Sequence, residues 1–472
     1  METSAQYLGM HAIVIGSGIA GLLSARVLAE FFARVTVLER ADIRDPLAPS
    51  RSVPQGHHAH FLLKRGEQIM ETLFPGIVHN LVDLGAVPVR MGWDILVSGF
   101  LEQPRRDLDI TCHCQTRGLL EYGLRRRLSE HPNIEMQWGQ PVTALMADRD
   151  KHFVLGVKYR DKAGAERSLN ADLIIEASGR AARSQRWLEE LGFGSAPTLK
   201  IGMDLCYSSA IFQMTENPTR DWQGIVIGGR PPEDTRGALV LPIEGHRWIV
   251  TLGGRFGDYP PADYEGFLSF TKSLPSAAIF DAIKDARLAG EIHRYRFSAS
   301  VWRRYDQMQA FPEGLIPIGD TFCSFNPLFG QGMTSAALQV ESLQEMLIHR
   351  VGMRDPLAGL SKDFLQRAAE IVGIPWIQAA EIDFQYPQTR GERPPLDEDT
   401  ARYRKHLNAL IWEDREVQRQ FNRVLHLMDH PKTLQEEPIY SKVRAHIQEY
   451  PDLVGVDTRD AEHIDIRNLI TP

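Results

Sequence analysis

Three glycines within six residues form the first group whose spacing indicates a function. In a G-x-G-x-x-G turn, the first glycine permits a tight turn, the second lets a pyrophosphate approach the backbone, and the third lets a helix pack against a strand. A helix that follows directly offers free N–H groups and a positive dipole end to phosphates. The pattern therefore predicts a dinucleotide-binding turn made of Gly16, Ser17, Gly18, Ile19, Ala20 and Gly21.

A strand–helix–strand unit must position this turn. The β-branched run 11–15 precedes the glycines, a helix-period run extends from Leu22 to Phe32, and a second β-branched run, 34–38, ends on Glu39. Short apolar runs of this kind are typical of buried parallel strands. Glu39 stands where a carboxylate would bind ribose hydroxyls. The unit by itself leaves FAD and NAD open.

A polar segment from Arg51 to His60 follows this unit closely, and it contains three histidines. A metal site is disfavoured, because the adjacent His57 and His58 point apart in any regular element. No carboxylate or cysteine lies nearby to complete a coordination shell. Solvated loop histidines and a loop that faces the cofactor both remain open, and the second is the preferred functional interpretation.

Further candidate residues lie at element ends. Arg117 occupies the N-terminal turn of a helix predicted over 115–128, where a cation opposes the helix dipole, so an anionic partner is plausible beside the alternative of a surface arginine. A buried strand over 171–177 ends in Ser178-Gly179, at the strand end that faces the ligand crevice of an open α/β sheet. A later strand ends in Gly319-Asp320 and is followed by a glycine-rich turn and a helix.

Bulk properties restrict the function classes. The chain has 472 residues and a formal net charge of −8, which argues against a nucleic-acid partner. Four cysteines in this length make no disulfide scaffold, and they are expected to be reduced and structural. No run reaches the roughly 18 apolar residues of a membrane span, and 1–9 is too short and polar for a signal peptide. We expect a cytoplasmic enzyme.

Taken together, these stretches resemble the FAD-dependent monooxygenases of the aromatic-hydroxylase type. The glycine turn with Glu39-Arg40, the position of Arg117, and Gly319-Asp320 followed by Pro327 and the segment 330–333 match the signatures of that family. The segments 54–60, 177–180 and 324–327 are similar to a secondary-metabolism branch that includes epoxidases. The resemblance covers residues 10–345.

The resemblance implies an α/β fold. A discontinuous Rossmann-like FAD-binding domain of the glutathione-reductase type (1–80 with 112–197 and 290–345) would carry an antiparallel β-sheet substrate domain (81–111 with 198–289) and a helical C-terminal region (346–472). That last region is expected to be a solvated packing subdomain. Alternating runs between Thr198 and Gly254 support the antiparallel sheet.

The resemblance also implies FAD as cofactor, with Asp320 accepting hydrogen bonds from the ribityl chain and the helix near Gly332 directed at the flavin ring. Oxygen transfer from a flavin peroxide to an apolar small molecule needs no protein nucleophile, so no catalytic residue is assigned. The aromatics Tyr207, Phe212, Trp222 and Trp248 are core or pocket candidates. Beyond the glycine turn, the predicted FAD-binding residues are Glu39, Arg40, Arg51, Gln55, His58, Arg117, Val142, Ser178, Gly179, Gly319, Asp320, Pro327, Gly330, Gly332 and Met333.

One departure bears on the electron source. Aromatic hydroxylases carry Asp-Gly where this chain has Ser178-Gly179, and in that family the pair is linked to the use of both FAD and nicotinamide. Electrons would come either from NADPH directly or from a separate flavin reductase.

Three other functions remain open within or near this fold. The first is a flavin-dependent olefin reductase or oxidase without oxygen insertion. A halogenase is disfavoured, because its W-x-W-x-I-P stretch is missing and Trp93 is followed by Asp94-Ile95. A non-catalytic FAD-binding escort or sensor is the third.

Overall fold

A five-stranded parallel sheet contains the predicted strand–turn–helix–strand unit. The computed structural model describes residues 7–43, 45, 47, 54–99, 102–215, 220–393, 397–451 and 453. The strands of this sheet are β1 (Gly9–Ile15), β2 (Phe32–Glu39), β6 (Ile134–Trp138), β10 (Leu173–Glu176) and β16 (Leu315–Pro317). Their order is β16-β10-β1-β2-β6, and every neighbouring pair is parallel. The carboxyl ends of β1, β10 and β16 therefore lie side by side, with their glycine-bearing turns at one edge.

Helices cover this sheet and form one large core with it. They are α1 (Ile19–Phe31), α2 (Lys64–Leu73), α3 (Ile77–Asp83), α4 (Arg117–Leu128), α5 (Ser184–Leu191), α8 (Gln331–Arg350) and α9 (Leu360–Asp383). Helix α8 packs against both α1 and α9, and Val340 and Leu343 are fully buried there. A three-stranded antiparallel sheet, β7 (Val142–Ala147), β8 (Val154–Arg160) and β9 (Glu166–Asn170), contacts β10 through β8.

The second sheet has seven strands and is antiparallel except for one parallel pair at its edge, formed by Gly224–Gly228 and Ile95–Gly99. Its strands, in the order β17-β15-β11-β14-β13-β12-β4, have the bounds Cys323–Ser324, His293–Arg303, Thr198–Gln213, Arg247–Arg255, Arg236–Ile243, Gly224–Gly228 and Ile95–Gly99. Strand β11 is 16 residues long and has an irregular point, a register shift between Gly202 and Leu205 in its pairing with β15. The sequence analysis did not predict strand β15.

The two faces of this sheet have different neighbours. One face packs on α6 (Tyr264–Lys272) and α7 (Ala278–Ile283), and its core holds Phe212 and Trp248, with Trp222 against it. The opposite face, which includes Tyr207, borders a cavity. Of the four aromatic candidates, Tyr207 alone lines this cavity.

The remaining elements complete the chain. Strands β3 (Val87–Arg90) and β5 (Thr111–Cys114) form a short pair, and all four cysteines are free and buried. Helices α10 (Glu398–Glu413), α11 (Arg415–Leu425) and α12 (Ile439–Glu449) share a small core of their own, whereas α9 contributes Phe364, Val372 and Trp376 to the large core. Among the described residues, no helix is both long and apolar enough to cross a bilayer.

Candidate functional site

A cavity of about 910 Å³ lies between the turn-bearing edge of the parallel sheet and one face of the second sheet. Of the predicted FAD-binding residues, all but Gly21 and Arg51 line it. Gly21 lies behind the cavity wall, and Arg51 lies outside the described residues. The structure thus brings together residues from three distant parts of the sequence.

The glycine turn has the geometry that its spacing predicts. Gly16 has a φ of +99°, which favours glycine, and a Cβ on Gly21 would lie 2.0 Å from the Gly16 carbonyl oxygen. A Cβ on Gly18 would meet no atom closer than Arg117 Nη2, at 3.7 Å. Gly16 therefore shapes the turn, Gly21 permits the helix–strand contact, and Gly18 keeps space free in front of the N-terminus of α1.

Glu39 is buried at the end of β2 and braces this turn. Its Oε2 accepts hydrogen bonds from Ser17 N (2.9 Å) and Ser17 Oγ (3.0 Å), and its Oε1 accepts one from Ala41 N (2.8 Å). The carboxylate therefore fixes the turn from the protein side while it borders the cavity. Its contact with a ribose stays a prediction.

Arg117 faces the glycine turn from the first turn of α4. Its side chain is only 11% exposed, which disfavours the surface-arginine interpretation. Nε donates to Glu121 Oε1 (2.8 Å), and Nη1 lies 3.3 Å from His60 Nε2. Held on both sides, the guanidinium places a positive charge next to Gly18, where a pyrophosphate is predicted.

Asp320 lies at the turn after β16, and its neighbours are mostly cationic or polar. Burial raises its pKa, whereas the charges of Arg180 and Arg117 and a hydrogen bond from Gln55 lower it. A Cβ on Gly332 would lie 3.8 Å from Asp320 Oδ1, so the start of α8 passes close to this carboxyl group. The arrangement leaves an acceptor at the cavity wall for hydroxyl donors of a ligand.

Replacing Asp320 tests this acceptor. We expect Asp320→Ala to weaken FAD binding by about 1–3 kcal/mol, because ribityl hydroxyls would lose a buried partner. Asp320→Asn retains an acceptor oxygen and should lose less. Fluorescence titration of apoprotein with FAD measures both variants. Equal affinity of wild type and Asp320→Ala would exclude the assignment.

The turn after β17 is fixed by buried side chains that the sequence analysis missed. Asn326 Oδ1 accepts a hydrogen bond from Leu328 N (3.1 Å), and Asn326 Nδ2 donates to Asp383 Oδ1 (2.8 Å). Arg255 Nη1 donates to the same Asp383 oxygen at 2.8 Å. This group ties the Pro327–Phe329 turn to β14 and to the end of α9. Gly330, at a φ of +63°, then starts α8.

The end of helix α9 reaches the cavity itself, since Ile382 in its last turn and Tyr386, three residues beyond its end, line the wall. Part of the expected packing region therefore borders the site. The sequence analysis assigned no role to Asp383, and no local pattern distinguishes it, because another acidic residue, Glu381, lies two positions before it.

The three histidines of the polar segment have separate surroundings. The His57 ring stacks on His293 at 3.9 Å, His58 packs near Tyr207 and Tyr295, and His60 faces Arg117. Among the described residues, no group of three or more potential metal ligands is present.

Burial sets the charge state of two histidines and predicts acid sensitivity. Burial lowers the pKa of His58 and of His426 from 6.5 to about 4. The unfolded chain takes up these protons near pH 6.5 and the folded chain only near pH 4, so the free energy of unfolding should fall as pH drops through that window. From pH 7 to pH 5 each histidine should contribute a loss of about 2 kcal/mol.

Urea unfolding at both pH values measures this loss. His426→Asn should reduce the pH dependence, because it removes one titrating group while an acceptor for Lys64 N, 3.2 Å from His426 Nδ1, is retained. The exposed His79 provides the matched control His79→Asn. An unchanged slope in His426→Asn would contradict the expectation.

The residues that line the cavity fit the chemical groups of FAD. A side chain at Gly18 or at Gly332 would occupy space that is free in the cavity. The N-terminus of α1 faces the space in front of Gly18, and Arg117 places a positive charge beside it. These groups suit a pyrophosphate, and Asp320 suits a hydroxylated chain.

Comparisons with known proteins identify relatives over most of the chain, although no family model matches it. Protein Rv3254 of Mycobacterium tuberculosis (strain ATCC 25618 / H37Rv) is 32% identical over 398 residues, which is 82% of each chain. Squalene epoxidase 3 of Arabidopsis thaliana is 25% identical over 337 residues, which are 71% of this chain and 59% of that protein. Kynurenine 3-monooxygenase of Drosophila melanogaster is 24% identical over 84% of this chain and 81% of its own length.

Solved structures share the fold. The flavin-dependent brominase Bmp2 aligns with a TM-score of 0.66 at 16% identity, covering 94% of this chain and 99% of its own. PqsL of Pseudomonas aeruginosa, described as a probable FAD-dependent monooxygenase, aligns with a TM-score of 0.56 at 15% identity over 80% of this chain and 97% of its own. The relatives in sequence and the cavity together lead to one conclusion: this chain is an FAD-dependent oxidoreductase of the FAD-dependent monooxygenase superfamily.

Proposed function

We propose that this enzyme inserts one oxygen atom, by epoxidation or hydroxylation, into an apolar secondary metabolite. The observation that carries the proposal is the apolar part of the cavity wall beyond the predicted FAD-binding residues. The second sheet and the segment before it contribute Met91, Ile95, Leu205, Val226, Leu239 and Leu241 to this wall. Ligand sites of this kind are mostly apolar, with few polar groups that orient the ligand.

The relatives support oxygen insertion but leave the substrate open. Two of them are named an epoxidase of squalene and a 3-monooxygenase of kynurenine, which are chemically very different molecules. The proposal of an apolar substrate therefore depends on the apolar residues of the cavity wall.

The residues of the chain have defined tasks in this proposal. Bound FAD would supply the activation of molecular oxygen. Gly18 and the N-terminus of α1 would bind the pyrophosphate, Asp320 would bind the ribityl hydroxyls, and Gly330 and Gly332 would let backbone N–H groups reach the ring. The N-terminus of α8, which carries a partial charge of roughly +0.5, would stabilise negative charge on the reduced ring. The apolar wall would exclude water from the reaction.

Isotope transfer tests the proposed reaction. FAD-loaded protein, supplied with NADPH and a flavin reductase under isotopically heavy oxygen gas, is given squalene and a panel of apolar polyenes and polyketide extracts. We expect a product that carries one heavy oxygen atom. Reduced olefins without heavy oxygen would instead support the olefin-reductase alternative, and flavin reoxidation without any modified product would support an oxidase or a non-catalytic role.

We also propose that electrons reach the enzyme from a separate flavin reductase, with direct use of NADPH as the alternative. Ser178 stands in place of the family's aspartate, so this position carries no carboxylate. The Ser178 hydroxyl instead donates a hydrogen bond to the nearby carboxylate of Glu176. NADPH oxidation by the purified enzyme, with and without an added reductase, separates the two sources. Rapid flavin reduction by NADPH alone would overturn the preference.

A further inference from the structure

Arg255 is a buried cation on the wall of the cavity. Along β14, Thr251, Gly253 and Arg255 line the cavity, whereas the alternate residues Val250 and Leu252 pack in the core against α6 and α7. Successive side chains of a strand point to opposite faces of its sheet. The whole of Arg255 is only 4% exposed, so its side chain belongs to the cavity face of the second sheet.

The protein occupies one nitrogen and one face of the Arg255 guanidinium group. Nη1 donates to Asp383 Oδ1 at 2.8 Å, and the ring of Tyr386 lies against the guanidinium group, 4.8 Å from its central carbon to the ring centroid. Nε and Nη2 have no hydrogen-bond partner among the described residues, yet both keep accessible surface, unlike the unpaired and fully covered Arg230 Nε. Because Arg255 is otherwise buried, this Nε–Nη2 edge opens to the cavity.

Arg236 on the neighbouring strand β13 shows what such an edge binds. Its Nε and Nη2 donate to the two carboxylate oxygens of Asp258, at 2.8 and 2.6 Å. Two parallel N–H groups match the two oxygens of one carboxylate, and such a pair is stronger than hydrogen bonds between neutral groups. Arg236 also lines the cavity, but the protein itself fills its edge. The same edge of Arg255 is left for a ligand.

The cavity wall next to this edge is apolar. Leu205 of β11 is paired with Arg255, and Leu205 and Tyr386 both line the cavity. Asp383 is fully buried, and its Oδ1 already accepts hydrogen bonds from Arg255 and Asn326. An ionised group in such surroundings is costly unless its donors are paired. The edge therefore suits a carboxylate that is carried on an otherwise apolar molecule.

We propose that the Nε–Nη2 edge of Arg255 binds a carboxylate group of the substrate. The substrate is then an apolar acid rather than a neutral hydrocarbon, and the ion pair fixes which part of its apolar body reaches the reaction site. The assignment rests on the proposed function, because it takes the apolar part of the cavity as the substrate site.

Binding of matched acids and methyl esters to the oxidised, FAD-loaded enzyme tests the assignment. The pairs are farnesoic acid with methyl farnesoate, and biphenylcarboxylic acid with its methyl ester, at neutral pH, where both acids are ionised. Isothermal titration calorimetry gives the dissociation constants. We expect the acid of at least one pair to bind about tenfold or more tightly than its ester, because only the acid offers a charged partner to both free nitrogens.

Variants then locate the preference for the acid. Arg255→Lys keeps the charge that Asp383 needs but lacks the planar pair of donors, so the preference should fall to about threefold or less. Arg255→Gln removes the charge and should abolish the preference, and the affinity for the ester should stay unchanged in both variants. Arg236→Gln is the matched control, because Asp258 occupies the edge of that arginine, and it should keep the full preference.

Three results would overturn the assignment. They are the lack of any preference for an acid (including no binding of either member of a pair), a full preference in Arg255→Lys or Arg255→Gln, and an equal loss of preference in Arg236→Gln. Arg255→Lys decides the matter if Arg255→Gln does not fold. The titration needs no turnover. A failure of oxygen insertion with the preference present would therefore count against the proposed function and not against this assignment.

Discussion

Gly18→Val is expected to abolish FAD binding without unfolding the protein. Gly18 has a φ of −72° and a ψ of −178°, an extended conformation that valine adopts readily. Its Cβ would point into open space, with Arg117 Nη2 as the nearest atom at 3.7 Å. The substitution therefore costs the empty protein little, while valine methyl groups would occupy the volume in front of α1 where the pyrophosphate is predicted.

We expect the affinity for FAD to fall at least about 100-fold, or ~2.8 kcal/mol at 1.4 kcal/mol per tenfold change. Flavin content after purification and titration of apoprotein with FAD measure the loss, and circular dichroism checks the fold. Gly373→Val is the matched control, because Gly373 lies within α9 and its Cβ would meet only Trp302, at 3.8 Å. A folded Gly18→Val protein with wild-type FAD affinity would show that the phosphates bind elsewhere.

The second large effect is expected from Asp383→Ala. Asp383 is fully buried, Arg255 is 4% exposed, and the two form an ion pair at 2.8 Å. Burial raises the pKa of Asp383, while Arg255 and the hydrogen bond from Asn326 oppose that shift. Removal of the carboxylate leaves the arginine charge buried and unpaired, which should lower the free energy of unfolding by about 3–5 kcal/mol.

The same helix provides the control for Asp383→Ala. Asp363 lies near the start of α9 and is exposed, and its partner Arg350 also donates to the carbonyl oxygens of Pro356 and Ala358, so Asp363→Ala should cost no more than about 1 kcal/mol. Urea unfolding compares the two variants, and the double variant Asp383→Ala with Arg255→Met should recover part of the loss. Equal stability of the two single variants would show that the buried pair does not hold the structure. The flavin content of Asp383→Ala shows whether FAD binding depends on the hydrogen bond by which Asp383 holds Asn326 and the Pro327–Phe329 turn.

Local pattern was sufficient where a residue's role depends on its immediate neighbours in sequence. The G-x-G-x-x-G turn, the helix predicted over 115–128 and the alternating runs between Thr198 and Gly254 all follow from short-range spacing, and the α/β fold class was confirmed. The glycine roles follow from hard-sphere contacts within one turn.

Long-range contacts account for what the sequence left out. Asp383 acquires its importance from Arg255 and Asn326, which are 128 and 57 residues away in sequence. The His58 ring is oriented by Ser209 and Thr251, whose hydroxyls meet only when β11 and β14 pair. No local pattern marks such residues. The three-part domain division and the individual FAD contacts stay predictions.

The order of strands in the parallel sheet constrains how the enzyme is made. Strand β16, which flanks β10, is synthesised about 140 residues after it, so the backbone groups on one side of β10 lack their partner during nearly a third of translation. Asp320 and the start of α8 emerge later still. If these residues bind FAD as predicted, cofactor uptake would wait until about 70% of the polypeptide has left the ribosome. An N-terminal fragment that ends before residue 315 would leave one edge of β10 unpaired, and such an edge can pair with other chains.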